Sequence, residues 1–418
     1  MGGTSTTGVS EYGYLWGLSG AWYTIANGIG IMLCAIFFAK LYRKLNTPTI
    51  PGIVGHYIGP RARKVASIIL IIVMIVVGIS QMIAIGTLGQ MLFKIDITVS
   101  IFAMGLFVIV YTLIGGMVSI GYTNVLHMLV LYIGMIVAVL VSLKDVGGIS
   151  SMATQLPASY FNMTNIGWSK VSSWIIASVL GACTAQAGIQ PILTAKNEHV
   201  AVKSSVIIAL VVAPFGILTA LIGMIAKIKF PELESAKFAL PTLMQNMPPI
   251  VSGLVMAALL AAILSTAAPI FLACGTLFTK DIYLEKHSDV DKNKELKISR
   301  FVTAVAGIIC VIGAVLLFNN SVILDVVYVA YSLRGSLFVI LLFGILSSKV
   351  KIRENTAIVA MIATAVIGLF WVIFKMVNGS YPIFPNFSET YATVLTALVT
   401  MLIGKIIDCR KNAIAQHK

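Results

Sequence analysis

Ser265 and Thr266 are adjacent hydroxyl residues in a stretch, 252–279, that contains no charged side chain. Ala262 lies three and four residues before them, so in a helix its carbonyl oxygen and both hydroxyls share one face. Pro269 has no N–H and leaves the Ser265 carbonyl without its helical donor. Several neutral oxygens without a carboxylate suit a weakly held monovalent cation. The alternative is that both hydroxyls bond back to their own helix.

The composition is that of an integral membrane protein. Of the 418 residues, 59% are hydrophobic and 11% are charged, and the mean hydropathy is +0.99, which lies outside the range of soluble domains. A helix of ~20 residues crosses the hydrocarbon layer. A short apolar fragment precedes Leu15, and eleven full spans are predicted near 20–40, 65–93, 97–116, 121–143, 172–192, 204–226, 249–279, 301–318, 322–346, 356–377 and 391–408.

Lys and Arg are unevenly distributed between alternate loops. Twenty-one lie in the set of loops that includes the C-terminus and seven in the other set, with Arg334 inside a span. Basic residues near span ends stay on the cytoplasmic side, so we predict a multi-pass protein of the plasma membrane with a cytoplasmic C-terminus. The same bias accounts for the formal charge of +14 without a nucleic-acid partner.

The sequence contains no recognisable motif for enzymatic catalysis. HExxH, GxSxG and phosphate-loop patterns are absent, and the cysteines Cys34, Cys183, Cys274, Cys310 and Cys409 have no metal-ligand spacing. We therefore expect neither an enzyme nor an organic cofactor. The cysteines are interpreted as small apolar packing residues.

Two polar, glycine-rich segments interrupt the apolar pattern: "GGTSTTG" at 2–8 and "GACTAQAGIQP" at 181–191. In transporters built from inverted repeats, substrate and ion sites form where corresponding helices of the two halves are broken. If the first segment belongs to helix 1 of a five-helix repeat, the second falls in helix 6, the corresponding position. The alternative is that these small residues merely allow close helix packing.

Five segments, taken together, resemble the sodium/solute symporter family, which has the leucine-transporter-type five-plus-five inverted-repeat fold. They match the family's helix 1 to helix 2 corner, its Thr-x-Pro-Glu loop, its helix 4 to helix 5 turn, its Gln-Arg segment and its Ser-Thr helix. In chain order they are "YGYLWGLSGAWY" (12–23), "TPTIPGIVGHYIGPRAR" (47–63), "YTLIGGMVSIGYTNVLH" (111–127), "IQPILTAKN" (189–197) and "LLAAILSTAAPIFLACGTLFTKDIY" (259–283).

The predicted fold is therefore an all-α polytopic membrane protein with an inverted-repeat transporter core over 1–347. A truncated first repeat spans 1–143 and the second repeat spans 172–346. Two extra C-terminal helices and a short cytoplasmic tail occupy 356–418. The family's N-terminal helix and half of core helix 1 are missing from this arrangement.

The resemblance implies that Ala262, Ser265 and Thr266 form the helix 8 half of a Na⁺ site, completed by carbonyls from helix 1. It also places the solute beside that ion, between helices 1, 2, 6 and 10. Thr24 and Asn27 match positions where a sugar-carrying relative has a sugar-bonding Glu and Ser, so an amino acid or carboxylate is favoured over sugar. The solute-binding candidates are Ser5, Thr24, Asn27, Gln186, Gln190 and Arg334.

The sequence departs from the family pattern at several acidic positions. The usual Ser-Thr-x-Asp-Ser is Ser-Thr-Ala-Ala-Pro at 265–269, and the Thr-Asp-x-x-Gln of helix 5 is Thr-Asn-Val-Leu-His at 123–127. The number of ions and their release route therefore stay open. His127 could carry a proton, but we interpret it as a hydrogen-bonded helix residue.

Arg334 lies in the middle of a predicted span. A charge at that depth costs at least ~2.5 kcal/mol, so it must face a cavity or a counter-charge. Asp325 is nine residues away, which puts it on the opposite face of a helix, and the two should not form an ion pair. A solute carboxylate, the cytoplasmic vestibule and helix-end carbonyls all remain possible partners for the guanidinium.

These features predict a Na⁺-coupled symporter for a small organic solute, working by alternating access. A proton-coupled carrier of the same fold is the first alternative, although the core spans are expected to lack an Asp or Glu to carry the proton. A membrane sensor that binds a solute without moving it is the second, but sensors usually have a long cytoplasmic signalling domain and only about ten residues follow Ile407.

The start of the chain gives the first testable prediction. Met1 aligns with the middle of family helix 1, so a charged amino terminus would lie near the bilayer midplane, where it is costly. We expect this chain to be a fragment or to begin at an internal Met, lacking ~20 residues of one span and ~10 of another, and not to perform Na⁺-coupled transport alone. The measurement is the reading frame upstream of Met1 and uptake by both lengths. An in-frame stop there, with full Na⁺-driven uptake by the short form, would contradict the prediction.

Overall fold

The computed structural model describes residues 2–45, 47–193, 195–287, 290–319, 323–346 and 352–416. Within these ranges it describes all side chains except those of 116–123, 286 and 409–416. The described part is helical throughout, with connecting turns and no β-strand.

Twelve helices form the framework, and eleven helical stretches are long and apolar enough to cross a membrane. Short helices connect them at Ala39–Lys44, Ile50–Tyr57, Gly148–Gln155 and Ala239–Gln245. The framework helices are α1 (Val9–Trp16, preceded by a π-helical turn Thr4–Gly8), α2 (Trp22–Phe37), α3 (Pro60–Phe93), α4 (Ile97–Asp145), α5 (Trp168–Ala182), α6 (Gln186–Leu193), α7 (Glu198–Lys229), α8 (Pro249–Phe278), α9 (Lys292–Leu317), α10 (Ile323–Leu346), α11 (Glu354–Asn378) and α12 (Glu389–Gln416).

Two predicted interruptions differ from the structure. The segment 111–127 was expected to contain a turn, but helical hydrogen bonding runs unbroken through α4, and no proline lies there to interrupt it. The segment 2–8 is helical rather than unwound, because the amides of Ser5 and Thr6 both donate to the Gly2 carbonyl, at 3.0 and 3.1 Å. The Val9 N–H donates to the Thr4 carbonyl five residues earlier, which makes Thr4–Gly8 a π-helical turn. The break predicted near 181–191 is confirmed, since α5 ends at Ala182 and α6 begins at Gln186.

Glycine allows the backbones of α1 and α7 to touch. A Cβ atom added at Gly13 would lie 2.3 Å from the Ala220 carbonyl oxygen, and one at Gly223 would lie 2.1 Å from the Ser10 carbonyl oxygen. Small residues at helix contacts permit this close approach in membrane proteins. α1 ends at Gly17, whose φ of 70° favours glycine, and a short 3-10 turn then leads into α2.

A proline kink in α7 is bridged by a side chain from α2. Pro214 has no N–H and interrupts the helical hydrogen bonding. The Thr24 hydroxyl donates to the Ala213 carbonyl at 3.0 Å and accepts from the Gly216 N–H at 2.8 Å. The Thr24 hydroxyl therefore bonds backbone groups on both sides of Pro214.

The last two helices are tied to the core at their ends. α11 and α12 pack against each other and against α10. Glu354, the first residue of α11, accepts hydrogen bonds from the amides of Arg61 and Ala62 at the start of α3, where a carboxylate also complements the helix dipole. Asp408 near the end of α12 pairs with Arg353 at 3.4 Å.

The glycine contact between α1 and α7 gives a prediction about stability. Gly13→Ala should destabilise the protein by about 1 to 3 kcal/mol, because the new methyl group has backbone on the other side and cannot be accommodated by a side-chain rotation. Gly253→Ala is the matched control, since no atom lies within 4 Å of a Cβ added there. Thermal unfolding of the purified protein in detergent measures both. Equal midpoints for the two variants would contradict the prediction.

Candidate functional site

A cavity of about 360 Å³ lies among the segment that precedes α1 and the helices α2 to α8 and α10. Its wall combines apolar residues with a small number of polar side chains. Six of the nine residues predicted to bind ion or solute are part of that wall: Ser5, Thr24, Asn27, Ser265, Thr266 and Arg334. Chain segments far apart in the sequence therefore meet in one chamber.

The predicted ion ligands Ala262, Ser265 and Thr266 come together on α8. The Ser265 and Thr266 hydroxyls both donate to the Ala262 carbonyl, at 2.8 and 3.1 Å. The hydroxyls therefore bond back to their own helix, which was the alternative to an ion site. Both hydroxyl oxygens nevertheless keep lone pairs on the cavity side. The Ala262 carbonyl is already occupied by these donors, so it could bind an ion only after the hydroxyls rotate away.

The start of the chain faces these hydroxyls across a short gap. A Cβ atom added at Gly2 would lie 2.4 Å from Thr266 Oγ1 and 2.8 Å from Gln81 Oε1. The Gly3 N–H donates to Gln81 Oε1 at 2.8 Å, and Gln81 Nε2 donates to Thr4 Oγ1 at 2.6 Å. Gln81 on α3 thus holds the first turn of the chain beside α8.

Sequence reasoning missed Gln81, although a signal was present. Gln81 stands in the apolar run "VVGISQMIAIG" and is 1% exposed. A polar residue inside a membrane span marks a functional or structural site by default. None of the five segments that resemble the family includes Gln81.

Arg334 lines the cavity and is 5% exposed. Its guanidinium carbon lies 3.8 Å from the centroid of the Tyr331 ring, and its Nε has no hydrogen-bond partner in the part of the chain that the structure describes. Asp325 instead binds Lys170, at 3.1 Å, and accepts a hydrogen bond from the Tyr12 hydroxyl at 2.7 Å. The prediction that Arg334 and Asp325 are not an ion pair is confirmed.

Three of the proposed solute contacts are engaged in hydrogen bonds within the protein, those of Gln186 and Thr24 between segments and that of Asn27 within α2. Gln186 is fully buried, accepts from the Ile50 N–H at 2.8 Å and donates to the Pro48 carbonyl at 3.3 Å, and it is not part of the cavity wall. Thr24 bridges the α7 kink described above. Asn27 donates to the Tyr23 carbonyl at 2.6 Å while lining the cavity.

Gln190 is 7% exposed and, like Gln186, stands outside the cavity wall. The structure therefore brings Ser5, Asn27 and Arg334 together around the cavity and places both α6 glutamines behind it. Their solute-binding roles remain predictions.

Aromatic and charged residues lie between the cavity and the loops 146–167 and 230–248, on the side of the molecule that we call the outer end. The Lys170 ammonium donates to the Tyr12 hydroxyl at 2.6 Å as well as pairing with Asp325. Trp174 packs edge-on against Tyr12, with ring centroids 5.0 Å apart, and stacks on Tyr328 at 4.5 Å. Tyr328 contacts Tyr331, at 5.5 Å, so a chain of rings connects the outer end to Arg334.

The expectation that the core spans lack an Asp or Glu is wrong. Glu11 on α1 is 3% exposed, and its Oε2 accepts a hydrogen bond from the Ile323 N–H at 3.0 Å. Asp281 beyond the end of α8 is fully buried and pairs with Arg63 at 2.6 Å. Glu11 was missed because it lies in the short fragment before the first full span.

Lys237 and His127 are two further ionisable residues whose side chains the structure describes. Lys237, in an outer loop, donates to the Phe318 carbonyl, and burial lowers the pKa of its ammonium while the nearby Glu11 carboxylate opposes that shift. His127 was interpreted as hydrogen-bonded, but its Nδ1 is buried without a partner among the described residues.

The helix order, the broken sixth helix and the central cavity are those of the leucine-transporter-type fold. The chain belongs to the sodium:solute symporter family, whose sequence profile matches residues 1–364. It is 28% identical over 347 residues to a sodium/glucose cotransporter of Vibrio parahaemolyticus, covering 74% of this chain and 64% of that protein. The chain thus spans just under two thirds of that relative's length.

Solved structures support the same fold. A Na⁺-coupled sialic acid symporter superposes with a TM-score of 0.72 at 20% identity, over 97% of this chain and 90% of the other. A nucleobase-cation-symport-1 family transporter superposes with a TM-score of 0.59 at 13% identity, over 99% and 93%. At these identities the likeness concerns the fold. The chain is a multi-pass membrane protein with the architecture of transporters rather than of enzymes.

The contacts of Gln81 give a prediction. Gln81→Leu leaves the Gly3 N–H without its acceptor in a buried place, which should cost about 1 to 3 kcal/mol of folding free energy. The Thr4 hydroxyl loses one partner but keeps Ser80 Oγ, at 3.2 Å. Gln90→Leu is the matched control on the same helix, because the Gln90 amide oxygen is buried with no partner among the described residues. Thermal unfolding should show a lower midpoint for Gln81→Leu alone. A comparable loss in both variants would contradict a specific role for Gln81.

Proposed function

We propose that this protein is a Na⁺-coupled symporter that moves a small organic solute by alternating access, with an amino acid or carboxylate favoured over sugar. The observation that carries the proposal is one cavity whose wall includes both the Ser265–Thr266 hydroxyl pair and the Arg334 guanidinium. Ion and solute would therefore occupy the same chamber, which is the simplest physical basis for coupling. Membership of the sodium:solute symporter family supports the proposal.

The ion would bind where α8 meets the start of the chain. Ser265, Thr266 and the Ala262 carbonyl supply neutral oxygens, which hold a monovalent cation weakly enough for release. The Gly2 backbone lies against Thr266, so carbonyls of this segment are the natural further ligands. Binding there would fix the first turn relative to α8, and the solute would bind on the adjoining wall.

The internal organisation is part of the same proposal. Residues 1–143 and 172–346 form two repeats within a core of 1–347, and 356–418 form accessory helices. The position of the α5–α6 break in the second repeat supports this division. The excess of Lys and Arg in alternate loops supports a cytoplasmic C-terminus, which would make the outer end extracellular.

Proton coupling is the second candidate, and the buried Glu11 specifically favours it. A carboxylate that is 3% exposed in a membrane span is the type of group that carries protons in transporters. Glu11 lies at the outer end rather than beside Arg334, however, and its Oε2 already accepts the Ile323 N–H. Na⁺ coupling through α8 therefore remains the first proposal.

Uptake into proteoliposomes tests the proposal directly. A panel of labelled sugars, amino acids and carboxylates is offered to the 418-residue chain, and to any form extended upstream in frame, under an inward Na⁺ gradient, a proton gradient or neither. We expect one solute class to accumulate only with the Na⁺ gradient. Accumulation that follows the proton gradient and ignores Na⁺ would replace the proposal with the Glu11 alternative.

Substitutions on α8 test the ion site. Ser265→Ala and Thr266→Ala should each raise the Na⁺ concentration for half-maximal uptake on the order of tenfold, because a ligand is lost from a small coordination shell. Solute affinity at saturating Na⁺ should change much less. Thr276→Ala is the matched control, since the Thr276 hydroxyl bonds back to the Leu272 carbonyl at 3.0 Å on the same helix. Wild-type Na⁺ dependence in both test variants would place the ion elsewhere.

A further inference from the structure

We infer that the solute is a small monocarboxylate, and that the cavity discriminates against both zwitterionic amino acids and neutral sugars of similar size. The inference rests on the proposed function and narrows its solute class. It is carried by the distribution of charge around the cavity and by the environment of Arg334.

Among the residues of the cavity wall that the structure describes, Arg334 is the only one with a charged side chain. The other polar wall residues are neutral hydroxyls and amides, so the wall supplies no carboxylate. Three carboxylates outside the wall already have partners: Asp325 with Lys170 and Tyr12, the buried Asp281 with Arg63, and the buried Glu11 with the Ile323 N–H. An unpaired buried cation is costly. The counter-charge that Arg334 lacks would therefore come from the solute.

The surroundings of Arg334 suit a carboxylate in particular. The guanidinium carbon lies 3.8 Å from the Tyr331 ring centroid, so the ring supports the face of the cation and leaves its N–H edge to meet a ligand. The Tyr331 hydroxyl shares a hydrogen bond with the Tyr23 hydroxyl at 2.9 Å, which fixes the ring. A guanidinium held in this way can donate two parallel hydrogen bonds to a carboxylate.

A bound Na⁺ ion would strengthen the preference of the cavity for a monocarboxylate. With Na⁺ at Ser265 and Thr266, the cavity contains two positive charges and no negative one. A monocarboxylate neutralises one of them, whereas a zwitterion adds an ammonium for which the wall offers no acid, and a neutral sugar neutralises neither. The rest of the wall combines neutral hydroxyls and amides with apolar residues such as Ile31, Val77 and Ile270, and a volume of about 360 Å³ suits a carboxylate with a short aliphatic body.

A panel of solutes with matched carbon skeletons tests the inference. The C3 set is propionate, lactate, alanine and lactamide, and C4 and C5 sets follow the same design. We expect Na⁺-driven uptake of carboxylates, at least about tenfold weaker competition by the corresponding amino acids, and none by the amides. Na⁺-driven uptake of amino acids that carboxylates do not inhibit would overturn the inference and leave the proposed function intact. Na⁺-driven uptake of sugars would overturn the inference and the proposed solute preference, and would leave Na⁺-coupled symport intact. Na⁺-independent behaviour throughout would overturn both.

The variant Arg334→Gln distinguishes a role of Arg334 in binding the solute carboxylate from a purely structural role. The ratio of carboxylate to amide affinity, measured by ligand-induced thermal shift with Na⁺ present, should fall at least about tenfold, and Arg334→Lys should restore part of it. Arg353→Gln is the control, because Arg353 is half exposed and paired with Asp408. An unchanged ratio in Arg334→Gln would contradict the inference. If that variant does not fold, Arg334→Lys carries the test, since loss of the planar fork alone should lower the ratio.

Discussion

Inside a bilayer every backbone N–H and C=O must find a partner within the protein, and this constraint shapes the molecule wherever a helix is interrupted. At the start of the chain the Gly3 amide bonds Gln81. At the gap between α5 and α6 the Cys183 carbonyl accepts from the Tyr42 hydroxyl at 3.0 Å. At the α7 kink Thr24 serves both a carbonyl and an amide. Each interruption is completed by a polar side chain from another helix.

The same side chains also build the cavity, so structural and functional roles overlap. Gln81 and Thr24 line its wall while completing backbone bonds. Thr184, in the gap between α5 and α6, donates to the Arg334 carbonyl at 2.7 Å and so joins the broken helix to α10. A polar residue in a membrane span therefore cannot be assigned to solute binding from its type alone. Gln186, buried against the 47–57 segment, illustrates the point.

The sequence predicted the spans, the sixth-helix break, the grouping on α8 and the opposite faces of Arg334 and Asp325, because each depends on residues close together in one helix. It did not predict Gln81 opposite Gly3, the ring chain from Tyr12 to Tyr331, or the partners of Glu11. These depend on contacts between helices, and helical periodicity carries no information on which faces meet. The missing turn in α4 has a different cause: it was expected from the resemblance of 111–127 to the family's helix 4 to helix 5 turn, but backbone hydrogen bonding continues where no proline prevents it.

The close approach of α1 and α7 at Gly13 and Gly223 has a mechanical consequence. Their backbones touch, the Thr24 hydroxyl locks α2 into the kink of α7, and a Cβ atom at Gly30 of α2 would lie 2.6 Å from the Ser178 carbonyl oxygen of α5. Interfaces in which backbone meets backbone have no side chains that could rearrange to let one helix slide past the other. We therefore expect these four helices to move together, with relative displacement concentrated at their boundary with α3, α8 and α10, where the cavity lies.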